Sequence, residues 1–354
     1  MEQEPTTLQE AVVYFSNLVN CREYVVARRW SKGVTCPICG SDKVAFLKKY
    51  NRWQCSNRHD RRQFTIKTGT IFEDSPIGLD KWLVAMWLIV NCKNGVSSYE
   101  IHRALGVTQK TAWFMDHRIR LAMQAGTFEK LSGQVEADET YIGGLARNMH
   151  KDKKAKKITG TGGSGKAIVM GLLERHGIDK SQKIIDTIDA KEKKASRVRT
   201  KVIPNTQGET LQGEVRQHVA AGTELFTDAL ASYQGLDPEY AHKVIDHAEA
   251  YVQGNVHTNG IENFWSLLKR AIRGTYISVE PFHLFRYLDE QAFRFNHRKL
   301  SDAERFSMTV SSIFDKRVTF NQLTGKIGNI SLEDLCREDN NAERKETNEK
   351  NLIN

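Results

Sequence analysis

Asp138 in the stretch VEADETYIGG, Asp228 in LFTDALASY and Glu262 in HTNGIENFWSLLKR are the residues whose types and settings bear most directly on chemistry. The first two lie at or near the end of apolar stretches that read as strands, and the third opens a basic amphipathic helix. Carboxylates delivered in this way can hold two divalent ions about 4 Å apart, one activating an attacking oxygen and the other stabilising a leaving one, as phosphoryl transfer requires. Magnesium, or manganese, takes oxygen ligands and keeps several waters, so two aspartates with a glutamate or an asparagine suit it. If helical geometry reaches back to Asn259, that amide is a candidate ligand beside Glu262. A single acid is more often solvated than ligating, and Glu136, Glu139 and Asp237 are left without a role.

Along the helix from Ile261, the residues Ile261, Trp265, Leu268 and Ile272 form an apolar stripe. Glu262, Ser266, Lys269 and Arg273 fall on a neighbouring face, with Glu262 and Lys269 nearly eclipsed across two turns. Lys269, Arg270 and Arg273 are therefore candidate phosphate contacts. A second metal chemistry is written near the start. Cys36-Pro-Ile-Cys39-Gly40 is a tight knuckle, and Cys55 with His59 supplies a second pair after a short β-like stretch. Together they predict a Cys3His zinc ribbon with one structural ion, Asp60 being a rival to His59 as fourth ligand. Cys21, Cys92 and Cys336 read as structural or incidental.

The chain has 354 residues and a net charge of +9, an excess spread along its length that predicts attraction to a polyanion, nucleic acid above all. The opening MEQEPTTLQE has neither a basic n-region nor an apolar h-region, and the longest apolar run, Trp82 to Val90, is too short to span a bilayer. The expectation is a multidomain cytoplasmic protein of bacterial type, associated with the nucleoid when bound to DNA, without a membrane role or a disulfide framework.

The elements that must carry these residues are legible in outline. A helix is expected from about Leu79 to Val90. Ser97 with Glu100 forms a capping box for a short helix ending at Gly106, and Thr108 opens a longer one through Met123. That pattern predicts a helix-turn-helix in which Ala112, Met115, Ile119 and Ala122 face the core and Gln109, Lys110, His117, Arg118 and Arg120 face DNA. From Gln134 strands are expected in VEADETYIGG, AIVMGLLERHG, QKIIDTIDA, TELFTDA and HKVIDH, with a helix in TLQGEVRQHVA, giving a mixed α/β sheet. The lysine- and glycine-rich ARNMHKDKKAKKITGTGGSGK reads as a loop that contacts phosphates. Within it, Gly160 to Lys166 nearly spells a phosphate-binding loop, but Ala167 stands where a metal-binding hydroxyl is required and a strand follows instead of a helix, so no nucleotide cofactor is expected.

With these segments in hand, the chain resembles the bacterial insertion-sequence transposases that join a zinc ribbon to an RNase-H-like acidic-triad core, relatives of retroviral integrases in mechanism. The resemblance rests on CPICG with WQCSNRHDRRQFTIKTGTIFEDSPI, then VEADETYIGG, FTDALASYQGL, HTNGIENFWSLLKRAIRGTY and PFHLFRYLDEQAFRFNHRK, in the family's order. It implies Asp138 and Asp228 as the first two metal ligands and the third in HTNGIEN, where the family is described with either glutamate or asparagine. Glu262 is preferred over Asn259 because a carboxylate binds a cation more strongly. Lys269 matches the basic residue expected to hold the transposon end, and His59 stands where the ribbon often has a fourth cysteine.

The fold class expected is multidomain α/β: an N-terminal helical segment at 1–29, a small β zinc ribbon at 30–75, helix-turn-helix-like helices at 76–130, an RNase-H-like mixed sheet flanked by helices at 131–300, and a closing helix and disordered tail at 301–354. The function implied is that of a DNA transposase binding double-stranded terminal inverted repeats and target DNA, acting as a homodimer or larger synaptic assembly. An inactive zinc-ribbon regulator and an RNase-H-like nuclease that cuts without joining are the alternatives.

Overall fold

A computed structural model describes residues 3–124, 129–144, 151–152, 163, 165–175, 195–237, 239–245 and 257–325. The strand expected in QKIIDTIDA, most of the lysine- and glycine-rich loop, and the tail from Ser331 lie outside the described residues. The chain divides into two compact units: Met1–Ala125 with Leu300–Lys326, and Gly126–Lys299.

The first unit opens with α1 (Leu8–Ser16), started by a Thr7–Glu10 capping box, and α2 (Leu18–Arg29), where Asn17 ends one helix and caps the next. Strands β1 (Val44–Leu47), β2 (Arg52–Cys55) and β3 (Gln63–Phe64) form a small antiparallel sheet, held by Trp53 stacked on Phe64 at 5.9 Å. α3 (Leu79–Asn91) buries Trp82, Leu83, Met86, Trp87 and Val90 and is the centre of this unit's core. α4 (Ser98–Leu105) starts at the Ser97–Glu100 capping box and stops at Gly106, whose φ of +59° is the left-handed conformation that favours glycine. α5 (Gln109–Met123) follows from Thr108.

The second unit is a mixed five-stranded sheet of β4 (Gln134–Ile142), β5 (Ala167–Arg175), β6 (Arg197–Ile203), β7 (Glu224–Asp228) and β8 (Ala241–Ile245), in spatial order β6-β5-β4-β7-β8. β5 is antiparallel to β4 and β6, while β4, β7 and β8 run parallel, the RNase-H-like arrangement. β6 was not anticipated. Its sequence RVRTKVI does alternate, with Val198 and Val202 in the core while Arg197 and Lys201 pair with Glu174 and Glu214, but the many cations conceal the pattern. α6 (Gly208–His218) packs Leu211 and Val215 against one sheet face, over Val135, Ala137, Met170 and Leu172. The other face, with Val169, Leu173 and Val198, is covered by α7 (Asn259–Ala271) and α8 (Leu284–Asn296) through Ile261, Phe264, Trp265, Leu268 and Leu288. β5 shows why the sheet needs two helical layers: its residues are apolar on both sides, 169 and 173 facing α7 and 170 and 172 facing α6.

The chain then returns to the first unit as α9 (Asp302–Ser311) and α10 (Phe320–Leu323), and this return changes the meaning of α5. Arg118 is only 4% exposed; it donates to the carbonyls of Ile71 at 2.8 Å, Glu73 at 2.7 Å and Val318 at 3.2 Å, over the ring of Phe114. Arg120 and His117 are also buried. The expectation that His117, Arg118 and Arg120 face DNA is therefore overturned by their burial, which for Arg118 comes in part from a segment 200 residues downstream. Lys110, at the first turn, remains exposed beside Phe320.

Candidate functional site

In the ribbon, Gly40 at φ +71° turns the chain so that its amide donates to the Cys36 carbonyl, bringing Cys39 back beside Cys36. Cys55 arrives at the end of β2. The ligand atoms of Cys36, Cys39, Cys55 and His59 lie within 4.8 Å of one another, with Cys36 Sγ 3.4 Å from His59 Nε2 and Cys39 Sγ 3.6 Å from Cys55 Sγ. A tetrahedron with Zn–S near 2.3 Å has edges of about 3.8 Å, so this donor set fits zinc. His59 Nδ1 is engaged by the Asp60 carbonyl at 2.6 Å, which turns Nε2 toward the thiols. Asp60 thus contributes its backbone, and its carboxylate is not in the group. The backbone hydrogen bond from Ser41 draws the Cys39 thiol down to about 7, toward the ionised form a metal ligand needs.

The second unit gathers its acids on two adjacent central strands, Asp138 at the middle of β4 and Asp228 at the carboxyl end of β7. Register pairs Glu136 with Phe226 on the parallel strands β4 and β7, so two residues further on Asp138 and Asp228 stand level. α7 crosses the same face of the sheet and adds Glu262. An open cleft of about 630 Å³ is lined by Asp138, Glu139, Asp228, Glu262, Trp265, Ser266, Lys269, Arg270 and Arg273, together with Thr140. Among the described residues no acidic group is drawn together as tightly as the Cys3His set. Asn259 is exposed on the first turn of α7 and does not line the cleft, and Lys110 belongs to the other unit.

Several side chains unremarked in the sequence hold this arrangement. Trp265, expected only as core, donates its indole N–H to Asp138 Oδ2 at 2.9 Å. Thr258 donates to Glu262 Oε1 at 3.0 Å, and the Leu230 amide to Asp228 Oδ1 at 3.2 Å. Glu136, left as a solvated acid, is instead 1% exposed: it accepts the Ile261 amide at 2.8 Å and pairs with Arg175, which also reaches the His257 carbonyl. A buried carboxylate at a helix N-terminus is favoured by the free amides and the helix dipole, and here it fastens α7 to the strand that bears Asp138. The signal was present as the i, i+2 spacing of Glu136 and Asp138, which puts both on one face of β4. Gly260 is required beside it, since a Cβ there would sit 2.8 Å from Glu136 Oε2. Gly171 on β5 pairs with Asp138 and leaves room for the Trp265 ring.

Crowding of carboxylates shows in their protonation. Burial, then the nearby charges of Asp228 and Glu262, pushes Asp138 up to about 6 even though the Glu139 amide and Trp265 favour its ionised form. Glu139 is pushed up to about 7, mainly by burial and further by Asp138 and Asp228, against a hydrogen bond from the Tyr233 hydroxyl. The site therefore carries a standing demand for positive charge, which divalent cations with oxygen preference would meet.

An RNase-H-like sheet with acids on adjacent parallel strands, in a chain that also bears a Cys3His ribbon, defines the class of zinc-ribbon transposases. The comparisons give the family. An ISXO2-like transposase domain matches residues 130–296 and a transposase zinc-ribbon domain matches residues 19–59. A protein of Halobacterium salinarum, described as an uncharacterized protein in transposable element ISH50, is 27% identical over 254 residues, covering 68% of this chain and 79% of that one. An uncharacterized transposase-like protein of Haemophilus influenzae is 33% identical over 105 residues, covering 29% of this chain and 85% of that one. No solved structure matches. The chain belongs to the ISXO2-like transposase family.

Proposed function

We propose that the protein is the DNA transposase of an insertion sequence, cutting strands at the terminal inverted repeats and joining the freed 3′-hydroxyl to target DNA. The observation that carries this reading is the shared cleft, lined by carboxylates from β4, β7 and α7 together with Lys269, Arg270 and Arg273 of that same helix. Magnesium or manganese ions held by Asp138, Asp228 and Glu262 would supply Lewis-acid activation of the attacking oxygen and charge stabilisation on the leaving one. The chain's own residues do the rest. Trp265 fixes one oxygen of Asp138, Thr258 fixes one of Glu262, and the Leu230 amide fixes one of Asp228, so the three carboxylates are oriented before substrate arrives. Lys269, Arg270 and Arg273 neutralise successive phosphates and hold the strand in line. In strand transfer one phosphorus–oxygen bond forms as another breaks, so bond energy is conserved and no nucleotide is consumed. The ribbon and the exposed first turn of α5, with Lys110, are proposed to contact the inverted repeat, and two ends held together require at least a dimer.

The test is a joining assay on a duplex taken from DNA flanking the coding sequence, with supercoiled plasmid as target. Joined products support the transposase; cutting without joining supports a nuclease, and neither supports a DNA-binding regulator. An Asp138→Ala or Asp228→Ala protein that still cleaves would refute the assignment of the cleft.

A further inference from the structure

Beyond its last regular turn, α7 does something that packing alone does not require. Residues Ile272–Tyr276 continue it as a π-helical stretch, a rare, widened geometry frequently found at functional sites. The next residue, Ile277, adopts φ +62° and ψ −55°, and the Ser278 amide donates to the Tyr276 carbonyl at 2.6 Å across it. That is a γ-turn of the rare, strained hand, and it is occupied here by a β-branched residue for which positive φ is sterically costly. Ile277 gains no burial in exchange, being 78% exposed. The base of the turn is firmly held: the Tyr276 hydroxyl donates to Glu290, which is fully buried and paired with Arg294, and the Tyr276 ring packs edge-on against Tyr287 at 4.7 Å. An anchored turn thus carries a stiff apolar side chain outward at the end of the helix whose flank bears Lys269, Arg270 and Arg273.

Strain retained without burial points to a use, and the charge beside it points to the partner. We propose that Ile277 is an apolar wedge that enters a base step of the bound DNA and unstacks it, an inference that rests on the reading of the cleft as a DNA site. The chemistry matches the occupant: cations on the preceding turns take the phosphates, and an apolar tip takes the place of a stacked base. Ile277 lies fifteen positions after Glu262, about 22 Å along the helix at 1.5 Å per residue. For a duplex lying along that face, this is roughly six to seven base pairs from the reacting phosphate at 3.4 Å per step.

The experiment uses the full-length protein without divalent metal and a duplex from the DNA flanking the coding sequence, with 2-aminopurine placed at successive steps on either side of the cleavage point. The wild-type protein is expected to raise the fluorescence several-fold at steps about six to seven base pairs from that point and little elsewhere. Ile277→Ala is expected to abolish the rise while affinity by anisotropy changes by less than about threefold. Ile277→Gly relieves the strained φ, so its melting temperature is expected to rise by about 2–4 °C while the fluorescence change is still lost. Retained signal in both variants overturns the wedge, as does a wild-type protein that binds DNA but unstacks no step. Dissociation of an oligomer by Ile277→Ala in the absence of DNA, with the wild-type fluorescence pattern intact, overturns it in favour of a contact between copies. Failure of the wild-type protein to bind DNA overturns the reading of the cleft, and the wedge with it.

Discussion

Substitution of Gly171 by alanine tests how closely the acid-bearing strand and the acid-bearing helix must approach. A Cβ at this position would lie 2.5 Å from Trp265 Cζ2 and 2.7 Å from Ile261 Cδ1, where carbon atoms normally rest about 3.5–4.0 Å apart. Both contacts belong to α7, and the Trp265 ring is locked by its bond to Asp138, so the helix must retreat by about 1 Å instead of a side chain turning aside. Overpacking of this kind costs about 1–3 kcal/mol. For a unit of this size each kcal/mol lowers the melting temperature by about 2–4 °C. The larger effect falls on chemistry, because the retreat carries Glu262 away from Asp138 and Asp228, and a misplacement of that size costs about a hundredfold in rate. Cleavage of an end-containing duplex, measured well below the melting temperature, is expected to fall by about that factor while DNA affinity stays within about threefold. Gly213 on α6 has open space around it, so Gly213→Ala is expected to stabilise by about 0.5–1 kcal/mol and leave cleavage unchanged. Wild-type cleavage by Gly171→Ala, or a loss no greater than its unfolded fraction, would refute the coupling of helix position to the acids.

Two further outcomes follow from the charges. Asp138 and Glu139 have folded pKa values of about 6 and about 7, raised from 3.8 and 4.5 by burial and neighbouring acids, so their protonated forms favour the folded state. The metal-free protein should lose stability from these two groups as pH rises from about 4 to about 7, with Asp138 alone contributing at most about 3 kcal/mol. Glu224, held low by Lys243, drives the opposite trend, so the comparison of wild type with Asp138→Asn isolates the effect. The variant is expected to melt higher than wild type at pH 7 without metal, to match it near pH 4, and to gain less from added magnesium; equal melting curves at pH 7 would contradict the assignment. In the other unit, Arg118→Ala removes the donor to three carbonyls, two of them in buried hydrogen bonds, and is expected to destabilise by about 1–3 kcal/mol with little change in DNA affinity per folded molecule. Lys269→Ala should do the reverse, leaving the melting temperature in place and lowering the slope of log affinity against log salt by about 1.

The amphipathic pattern of α7 was readable because helical geometry is a local rule: Ile261, Trp265, Leu268 and Ile272 are buried at their expected spacing, and Glu262, Ser266, Lys269 and Arg273 share the flank that lines the cleft. The capping box at Ser97 and the helix stop at Gly106 are local in the same sense. Trp265 was only half legible. Its position in the stripe marks it as core, but nothing in the chain says that its indole nitrogen meets a carboxylate 127 residues earlier.

Residue type and short-range spacing were enough to identify the Cys3His donors and the zinc-ribbon and mixed-sheet architecture, since each depends on periodicities of two or 3.6 residues or on ligands a few positions apart, while the transposase family was legible through the resemblance of whole stretches such as VEADETYIGG and HTNGIENFWSLLKR to known members. Tertiary structure alone decided which charged groups are available. Arg118 is covered by a segment that returns from the far end of the chain, Arg120 is buried, and Glu136 is withdrawn from water to fasten α7 beside Asp138. Burial and carboxylate protonation depend on distances between residues a hundred or more positions apart, and no local pattern encodes those distances.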